Sequence, residues 1–319
     1  MADWLQRIEE PKQQVPAKGG SEILKEKLYK YTNIEKLDNI NLLLSTPDFG
    51  KIRFTKKNVI WQHLSYTDES LQNLKDPSFI KAIDAQVYVS HWQYEKFRYV
   101  YQIPTENAYV IKNAIDPIEF VKRSKEDKLK LIYTSTPFRG LDVLLDCFEL
   151  LNKDDIELDI YSSTLVYGSG YARHVGDQYQ HLFDRAKSMK NVNYMGYATN
   201  EEIHKAVQKA NIFAYPSTFE ETCCLAMIEA GAAGCEMVTT DLGALFETGS
   251  EYAKMIPIQS TKEQLVKNYT NALKDSIDNY WDKKNQDRLK EQSDFYNKYY
   301  DWDKRKDEWN RILEKVSND

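Results

Sequence analysis

Apolar and polar residues alternate along this chain in a way that predicts strands separated by helices. Short runs rich in aliphatic and aromatic residues, at 59–61, 131–133 and 212–215, have the length of buried strands. Apolar residues at helical spacing follow, in segments that begin near residues 141 and 200. From about residue 40 onward, strands and helices alternate, and this order predicts an α/β protein with two doubly wound layers.

The last part of the chain and one proline divide this pattern. Residues 262–319 are predicted to form helices, in which Trp302 and Trp309 are the expected packing anchors. Pro117 interrupts the chain just after a predicted strand, and a charged segment follows at 122–128. We therefore predict two domains with a hinge at this proline.

Two glutamates, Glu221 and Glu229, stand on either side of a predicted helix start, with seven residues between them. In a continuous helix, eight steps of about 1.5 Å would separate them by roughly 12 Å, so they cannot share a proton. This separation suits an extended ligand that is contacted at both ends. The free N–H groups of the first helical turn, expected at Thr222, Cys223 and Cys224, would face an anionic group in the middle of that ligand. The pair therefore predicts a site for a diphosphate with a group on either side.

The segments around the glutamates also alternate between strand and helix. Residues 192–217 predict a strand, a glycine turn, a helix and a second strand. Thr199 and Glu202 form the capping-box pattern of that helix. Residues 237–247 predict a short strand and a glycine loop that ends in an acid. Both glutamates therefore lie within a continuous α/β pattern.

An Arg-Gly turn at Arg139 follows the predicted strand at 131–133. Open α/β sheets place their ligands outside the carboxyl ends of the strands, which is where this turn is expected. A guanidinium group can hold a diphosphate and stabilise the charge that develops on it when a bond to it breaks. Arg139 is therefore a second candidate for the anion site.

Together these segments resemble the donor-binding half of retaining glycosyltransferases of family 4, the group 1 glycosyltransferases. The family pattern is a strand, Pro-Ser, an acid, seven residues, a second acid and Ala-x-Gly, and the resemblance covers residues 110–250. It implies a GT-B fold, in which two Rossmann-like, doubly wound domains face a cleft, with the first domain reduced here. We expect an acceptor-side domain at 1–118, a nucleotide-sugar-binding domain at 119–295, and a helix at 296–319 that crosses back to the first domain.

The resemblance also implies roles for residues of the second domain. Arg139 and the amides at Thr222, Cys223 and Cys224 would stabilise the leaving diphosphate. Glu221 would bind hydroxyls of the transferred sugar, Glu229 would hold the ribose, and Tyr197 would line the base pocket. The sequence departs from the family at Glu221-Thr-Cys-Cys, where Glu-Gly-Phe-Gly is common. This departure keeps the amide donors but changes the shape of the pocket.

The first domain resembles the family less closely. Gly19 and Gly20, which open a predicted helix, resemble the glycine pair that allows backbone to approach the phosphates or the acceptor. His63, at the end of a predicted strand, resembles the histidine that contacts the donor sugar. Residues 1–10 are too charged for the buried first strand that usually precedes the glycine pair.

The expected function is transfer of a sugar from a nucleotide-diphosphate donor, such as a UDP- or GDP-sugar, to a hydroxyl acceptor with retention of anomeric configuration. The fold class implies neither a metal nor another cofactor. One alternative is a phage-type glycosyltransferase that flips a hydroxymethylated DNA base into the cleft. More remote alternatives are a GT-B-fold epimerase, which needs an acid/base pair, and an inactive sugar-binding subunit.

Net charge, apolar runs and cysteine spacing indicate which partners and which location to expect. The net charge of −6 and the pI near 5.6 weigh against a protein that mainly binds phosphate backbones. We find neither a bilayer-spanning apolar run nor a signal peptide, so we expect a cytoplasmic protein, in the host cell if the gene is viral. The four cysteines lack metal-site spacing, and we expect them to be reduced.

Overall fold

The structure is a computed structural model that describes residues 19–34, 37–165 and 169–318, with the side chains of 169–177 left aside. Two lobes, each built on a parallel sheet, follow one another along the chain. The charged segment at 1–10 lies outside the described residues. The α/β architecture predicted from the sequence is confirmed.

The first lobe contains a four-stranded parallel sheet whose strands lie side by side in chain order. Its strands are β1 (Ile40–Leu44), β2 (Lys57–Gln62), β3 (Ala85–Tyr88) and β4 (Ala108–Val110). Its helices are α1 (Gly20–Tyr31), α2 (Pro77–Lys81) and α3 (His91–Tyr101), with 3₁₀ turns at Phe49–Lys51 and Glu69–Lys75. Neighbouring residues of β2 enter different cores, since Trp61 packs with α1 whereas Ile60 packs with α3. The sheet is therefore buried on both faces, as parallel sheets require.

The second lobe contains a six-stranded parallel sheet in the order β10-β9-β8-β5-β6-β7. Its strands are β5 (Leu129–Thr134), β6 (Ile156–Tyr161), β7 (Val192–Tyr194), β8 (Ile212–Tyr215), β9 (Glu236–Thr240) and β10 (Lys254–Ile256). Its helices are α4 (Leu141–Leu151), α5 (Ser169–Ser188), α6 (Asn200–Lys209), α7 (Leu225–Ala232), α8 (Leu245–Gly249), α9 (Lys262–Asp278) and α10 (Lys283–Tyr299), with a 3₁₀ turn at Pro137–Arg139. The strand order reverses between β5 and β8, and this reversal is the switch point of a doubly wound sheet.

Local signals in the sequence start and end several of these helices. The predicted capping box of α6 is confirmed, since the Thr199 side chain accepts from the Glu202 N–H while the Glu202 carboxylate accepts from the Thr199 N–H. In α3, the side chain of Ser90 caps the amide of Gln93. These caps fix where α3 and α6 begin at the carboxyl edges of the two sheets.

The last helix, α11 (Trp302–Asn318), packs against the first lobe after the chain has completed the second. The Trp309 ring meets Trp61 of β2 edge-on at a centroid distance of 4.8 Å, and Trp302 stacks on Tyr31 of α1. Both tryptophans are almost fully buried, which confirms their predicted role as packing anchors. α11 therefore completes the core on one face of the first sheet.

Candidate functional site

The loops that follow β5 and β8 meet at the switch point. Gly140, the N-cap of α4, has a φ of 103°, and a Cβ built on it would lie 2.1 Å from the carbonyl oxygen of Pro216. A residue with a side chain would therefore force the two loops apart. This close approach places the side chain of Arg139 beside the loop that carries Glu221.

Arg139 and Glu221 form an ion pair at this point. Nη1 of Arg139 donates to Oε1 of Glu221 at 2.7 Å, and the Tyr215 hydroxyl donates to the same oxygen. The guanidinium also lies over the ring of Phe219, 4.4 Å from its centroid. Glu221 is only 4% exposed, so this carboxylate is held in one place. The structure thus brings together two residues that the sequence suggested for separate parts of a ligand.

The helix between the two glutamates begins later than the sequence predicted. Glu221 forms a β-bridge with Gly243, and its carbonyl oxygen accepts from the Ala244 N–H at 2.7 Å. This pairing keeps the backbone extended, and α7 begins only at Leu225, with Cys224 as its N-cap. Thr222, Cys223 and Cys224 therefore precede the first turn of the helix. The first-turn amides belong to the three residues after Cys224.

Both cysteines of this loop have free thiols; Cys224 is buried and Cys223 is half-buried. Burial raises the pKa of Cys223 to about 11 and that of Cys224 well above its usual value. Both thiols are therefore protonated at neutral pH, and they act as small packing residues.

Glu229 lies on α7 and has a partner that the sequence analysis missed. Nε2 of His204, on α6, lies 3.0 Å from Oε1 of Glu229. The hydrogen bond to Glu229 is the main reason why the pKa of His204 is raised above its ordinary value. A residue that lies 25 positions away on another helix leaves no signal in the local sequence.

The first lobe contributes His63 and the glycine pair to the same region. The carbonyl oxygen of His63 accepts from the Thr222 hydroxyl at 2.9 Å, and a Cβ on Gly20 would lie 3.1 Å from the Leu225 side chain. Burial lowers the pKa of His63 to about 3, so its imidazole is neutral at physiological pH. Its Nε2 atom is buried and has no hydrogen-bond partner in the described part of the chain. Gly19 is the N-cap of α1 and lies next to Gly20.

A second contact between the lobes involves Glu247 of α8. Its carboxylate accepts from the backbone N–H groups of His91 and Trp92, each at 3.1 Å, and contacts Nδ1 of His91 and Nζ of Lys112. Burial alone would raise the pKa of Glu247, but the hydrogen bonds from Lys112 and His91 outweigh it and lower the pKa to about 2. The sequence indicated only that a loop ends in this acid.

Tyr197 lies further from the switch point. It follows Gly196 at the carboxyl end of β7, which is the edge strand of the second sheet and two places from β5. Its side chain is half-buried. Its role at a base pocket stays a prediction.

No group of three or more His, Cys, Asp or Glu side chains within 19–34, 37–165 and 178–318 is arranged to hold a metal ion. In the same residues, every helix is too short or too polar to span a bilayer.

Comparison of sequences identifies one family and no close relative. Residues 130–275 match the family described as "Glycosyl transferases group 1". This match includes Arg139, Glu221 and Glu229. No curated protein sequence matches the chain.

Several solved structures share the fold. A glycosyltransferase from Rickettsia africae aligns with a TM-score of 0.66 at 12% identity, over 95% of this chain and 84% of that chain. The pneumococcal O-GlcNAc transferase GtfA, in complex with UDP and GlcNAc, aligns with a TM-score of 0.60 at 16% identity, over 93% of this chain and 60% of that chain. Anabaena Alr3699/HepE, in complex with UDP-glucose, aligns with a TM-score of 0.62 at 14% identity, over 87% of this chain and 79% of that chain.

Some of the matched structures contain chains much longer than this one. It spans 54% of the matched chain of the GtfA/B complex, 58% of TarM and 60% of the pneumococcal GtfA. At 12–16% identity, such structures establish the fold and leave substrates open. The described chain therefore has the GT-B fold, and residues 130–275, which form most of its second lobe, match the group 1 glycosyltransferases.

Proposed function

We propose that this protein transfers a sugar from a nucleotide-diphosphate donor to a hydroxyl acceptor, as a retaining glycosyltransferase of family 4. The observation that carries the proposal is the Arg139–Glu221 pair at the switch point of the second sheet, opposite His63 of the first lobe. Ligands of open α/β sheets bind at the carboxyl ends of the strands at such a point. A cation and a carboxylate meet there, and the Thr222 hydroxyl that follows Glu221 donates to the backbone carbonyl oxygen of His63.

Each residue has a role that follows from its charge and its place. Arg139 stays charged at any physiological pH, and its guanidinium would balance the negative charge that grows on the diphosphate as the sugar leaves. Glu221 would accept hydrogen bonds from hydroxyls of the sugar. The amides that begin α7 would add the positive end of the helix dipole. Because these groups supply the charge stabilisation, we propose that the reaction needs no metal.

Buried polar atoms at the edges of both sheets support a ligand in the cleft. Buried polar groups normally have a hydrogen-bond partner, and exceptions call for an explanation. At the carboxyl ends of β2, β4, β5 and β6, buried side-chain polar atoms have no partner in the described part of the chain; they belong to Gln62, His63, Asn113, Thr134, Thr136 and Ser162. Hydroxyl and phosphate groups of a bound donor would provide such partners.

The donor is proposed to be a uridine diphosphate sugar. The neighbours with bound ligands carry UDP or UDP-glucose, and their fold is shared by this chain. We propose that Glu229, which lies within α7 and is contacted by His204, contacts the ribose, as the resemblance to family 4 implies. A guanosine diphosphate sugar is the next candidate.

The proposal can be tested with the purified protein and a panel of nucleotide sugars. Binding to the native state raises the melting temperature by mass action, so a thermal-shift panel would rank the donors. We expect the best donor to be hydrolysed slowly in the absence of acceptor, and this activity to persist with EDTA. Complete loss of activity on chelation would refute metal independence, and no shift with any nucleotide sugar would refute the proposed donor class.

Turnover by the natural protein and by two variants distinguishes an active glycosyltransferase from an inactive sugar-binding subunit. Glu221→Ala should abolish turnover, whereas Glu220→Ala is a matched control at the neighbouring position. Donor binding without turnover by the natural protein would contradict the enzymatic function. A product anomer opposite to that of the donor would contradict retention.

A further inference from the structure

His204 is a histidine outside the sequence motifs that contacts a proposed donor-binding residue. It lies on α6, and its Nε2 atom is 3.0 Å from Oε1 of Glu229 on α7. The side chains are 32% and 15% exposed, so the contact is partly shielded from water. A carboxylate that accepts from one fixed donor loses part of its rotational freedom.

The orientation of Glu229 matters because a ribose offers two neighbouring hydroxyl groups. A carboxylate can accept from both only if its plane faces them, and a freely rotating side chain must lose entropy to do so. The imidazole occupies Oε1 from the side of α6. It thereby fixes the plane of the carboxylate before any ligand arrives.

We propose that His204 is a positioning residue that holds the Glu229 carboxylate in the orientation that accepts hydrogen bonds from the ribose hydroxyls of the donor. This inference rests on the proposed function, because it requires a nucleotide in the cleft. It adds a residue of α6 to the donor site. His204 itself acts through Glu229 and needs no contact with the ligand.

The surroundings of His204 keep its proton at the contact. The charged groups that face the imidazole are Glu229 on α7, Asp116 between the lobes and Lys27 on α1. Asp116 is in turn bound by Lys27 and by the Tyr31 hydroxyl, the latter at 2.9 Å. The hydrogen bond to Glu229 is the largest effect, and it raises the pKa of His204. The shift favours the protonated imidazole, whose Nε2–H donates to Glu229.

The test compares nucleotides with and without ribose hydroxyls. Calorimetric titrations use UDP and GDP, each against its 2′,3′-dideoxy analogue, with the wild type, His204→Ala and His204→Gln. His181→Ala is the matched control, since His181 is exposed on α5. Because a hydrogen bond to a charged group would be lost, we expect His204→Ala to weaken binding of the preferred nucleotide about tenfold. Binding of its dideoxy analogue should not change.

Further readouts separate positioning from a structural role. His204→Gln retains an N–H donor and should recover most of the lost affinity. In a Glu229→Gln background, His204→Ala should have little additional effect, because the two residues act as one unit. With the donor, KM should rise while kcat changes little.

The outcomes distinguish this inference from the proposed function. If the wild type binds a nucleotide but His204→Ala keeps the full preference for the ribose form, the inference is refuted and the function stands. Equal weakening of both forms by His204→Ala would also refute it. If the wild type binds neither UDP nor GDP, both proposals fail.

Discussion

Replacing Glu247 with glutamine should weaken the contact between the lobes in a way that depends on pH. The carboxylate of Glu247 caps the start of α3 through the N–H groups of His91 and Trp92 and pairs with Lys112. Glutamine keeps the size and one acceptor oxygen but removes the charge. Lys112, whose side chain is only 13% exposed, would then remain as a buried cation without its counter-charge.

The expected magnitude follows from the pKa of Glu247. A pKa of about 2 in the folded protein, against 4.5 for the ordinary side chain, corresponds to about 3 kcal/mol at neutral pH as an upper bound. Because the folded-state pKa is the lower one, this stabilisation is present above pH 4.5. It is lost as the pH falls from 4.5 through 2, and the carboxylate is protonated in both states only below that range.

The assay is urea-induced unfolding of the wild type and Glu247→Gln at several pH values. We expect the variant to be less stable by about 1–3 kcal/mol at pH 7, with the difference shrinking as the solution is acidified towards pH 3. Glu251→Gln, at an exposed position of the same lobe, should leave stability unchanged. A difference below about 0.5 kcal/mol at pH 7, or one that does not depend on pH, would refute the reasoning.

Substitutions at three other positions test the site and the packing. Gly140→Ala should destabilise the protein by more than about 1 kcal/mol in urea unfolding, because its Cβ would meet the Pro216 carbonyl and its φ is positive; wild-type stability would contradict the close approach of the two loops. Trp309→Ala should cost about 3–5 kcal/mol and speed amide hydrogen exchange in α11 and β2, whereas unchanged exchange in β2 would show that α11 does not complete that core. Arg139→Met should lower kcat/KM about 100-fold or more, with Arg139→Lys in between, and equal activity of the two variants would argue against a role for the guanidinium shape.

Much of the fold could be predicted because it depends on local patterns. Buried strands such as Ile212–Tyr215 appear as short apolar runs, and the capping box of Thr199 and Glu202 marks a helix start within four residues. The buried Trp302 and Trp309 could be recognised as anchors in a polar helix. Each of these signals lies within a single short segment of the sequence.

The side-chain partnerships of the site could not be predicted in the same way. Arg139 and Glu221 are separated by 82 positions, and Glu247 reaches residues more than 130 positions away. The start of α7 was placed too early because the bridge between Glu221 and Gly243 is a tertiary contact. Sequence reasoning located the residues, whereas the pairing of their charges depends on how the sheets bring the loops together.

The most direct test of the central claim is a crystal structure of the protein with UDP or GDP bound. The account predicts a nucleotide in the cleft with its diphosphate about 3 Å from the guanidinium of Arg139 and beside the start of α7. A nucleotide bound elsewhere, with the Arg139–Glu221 pair closed and walled off from the cleft, would contradict it.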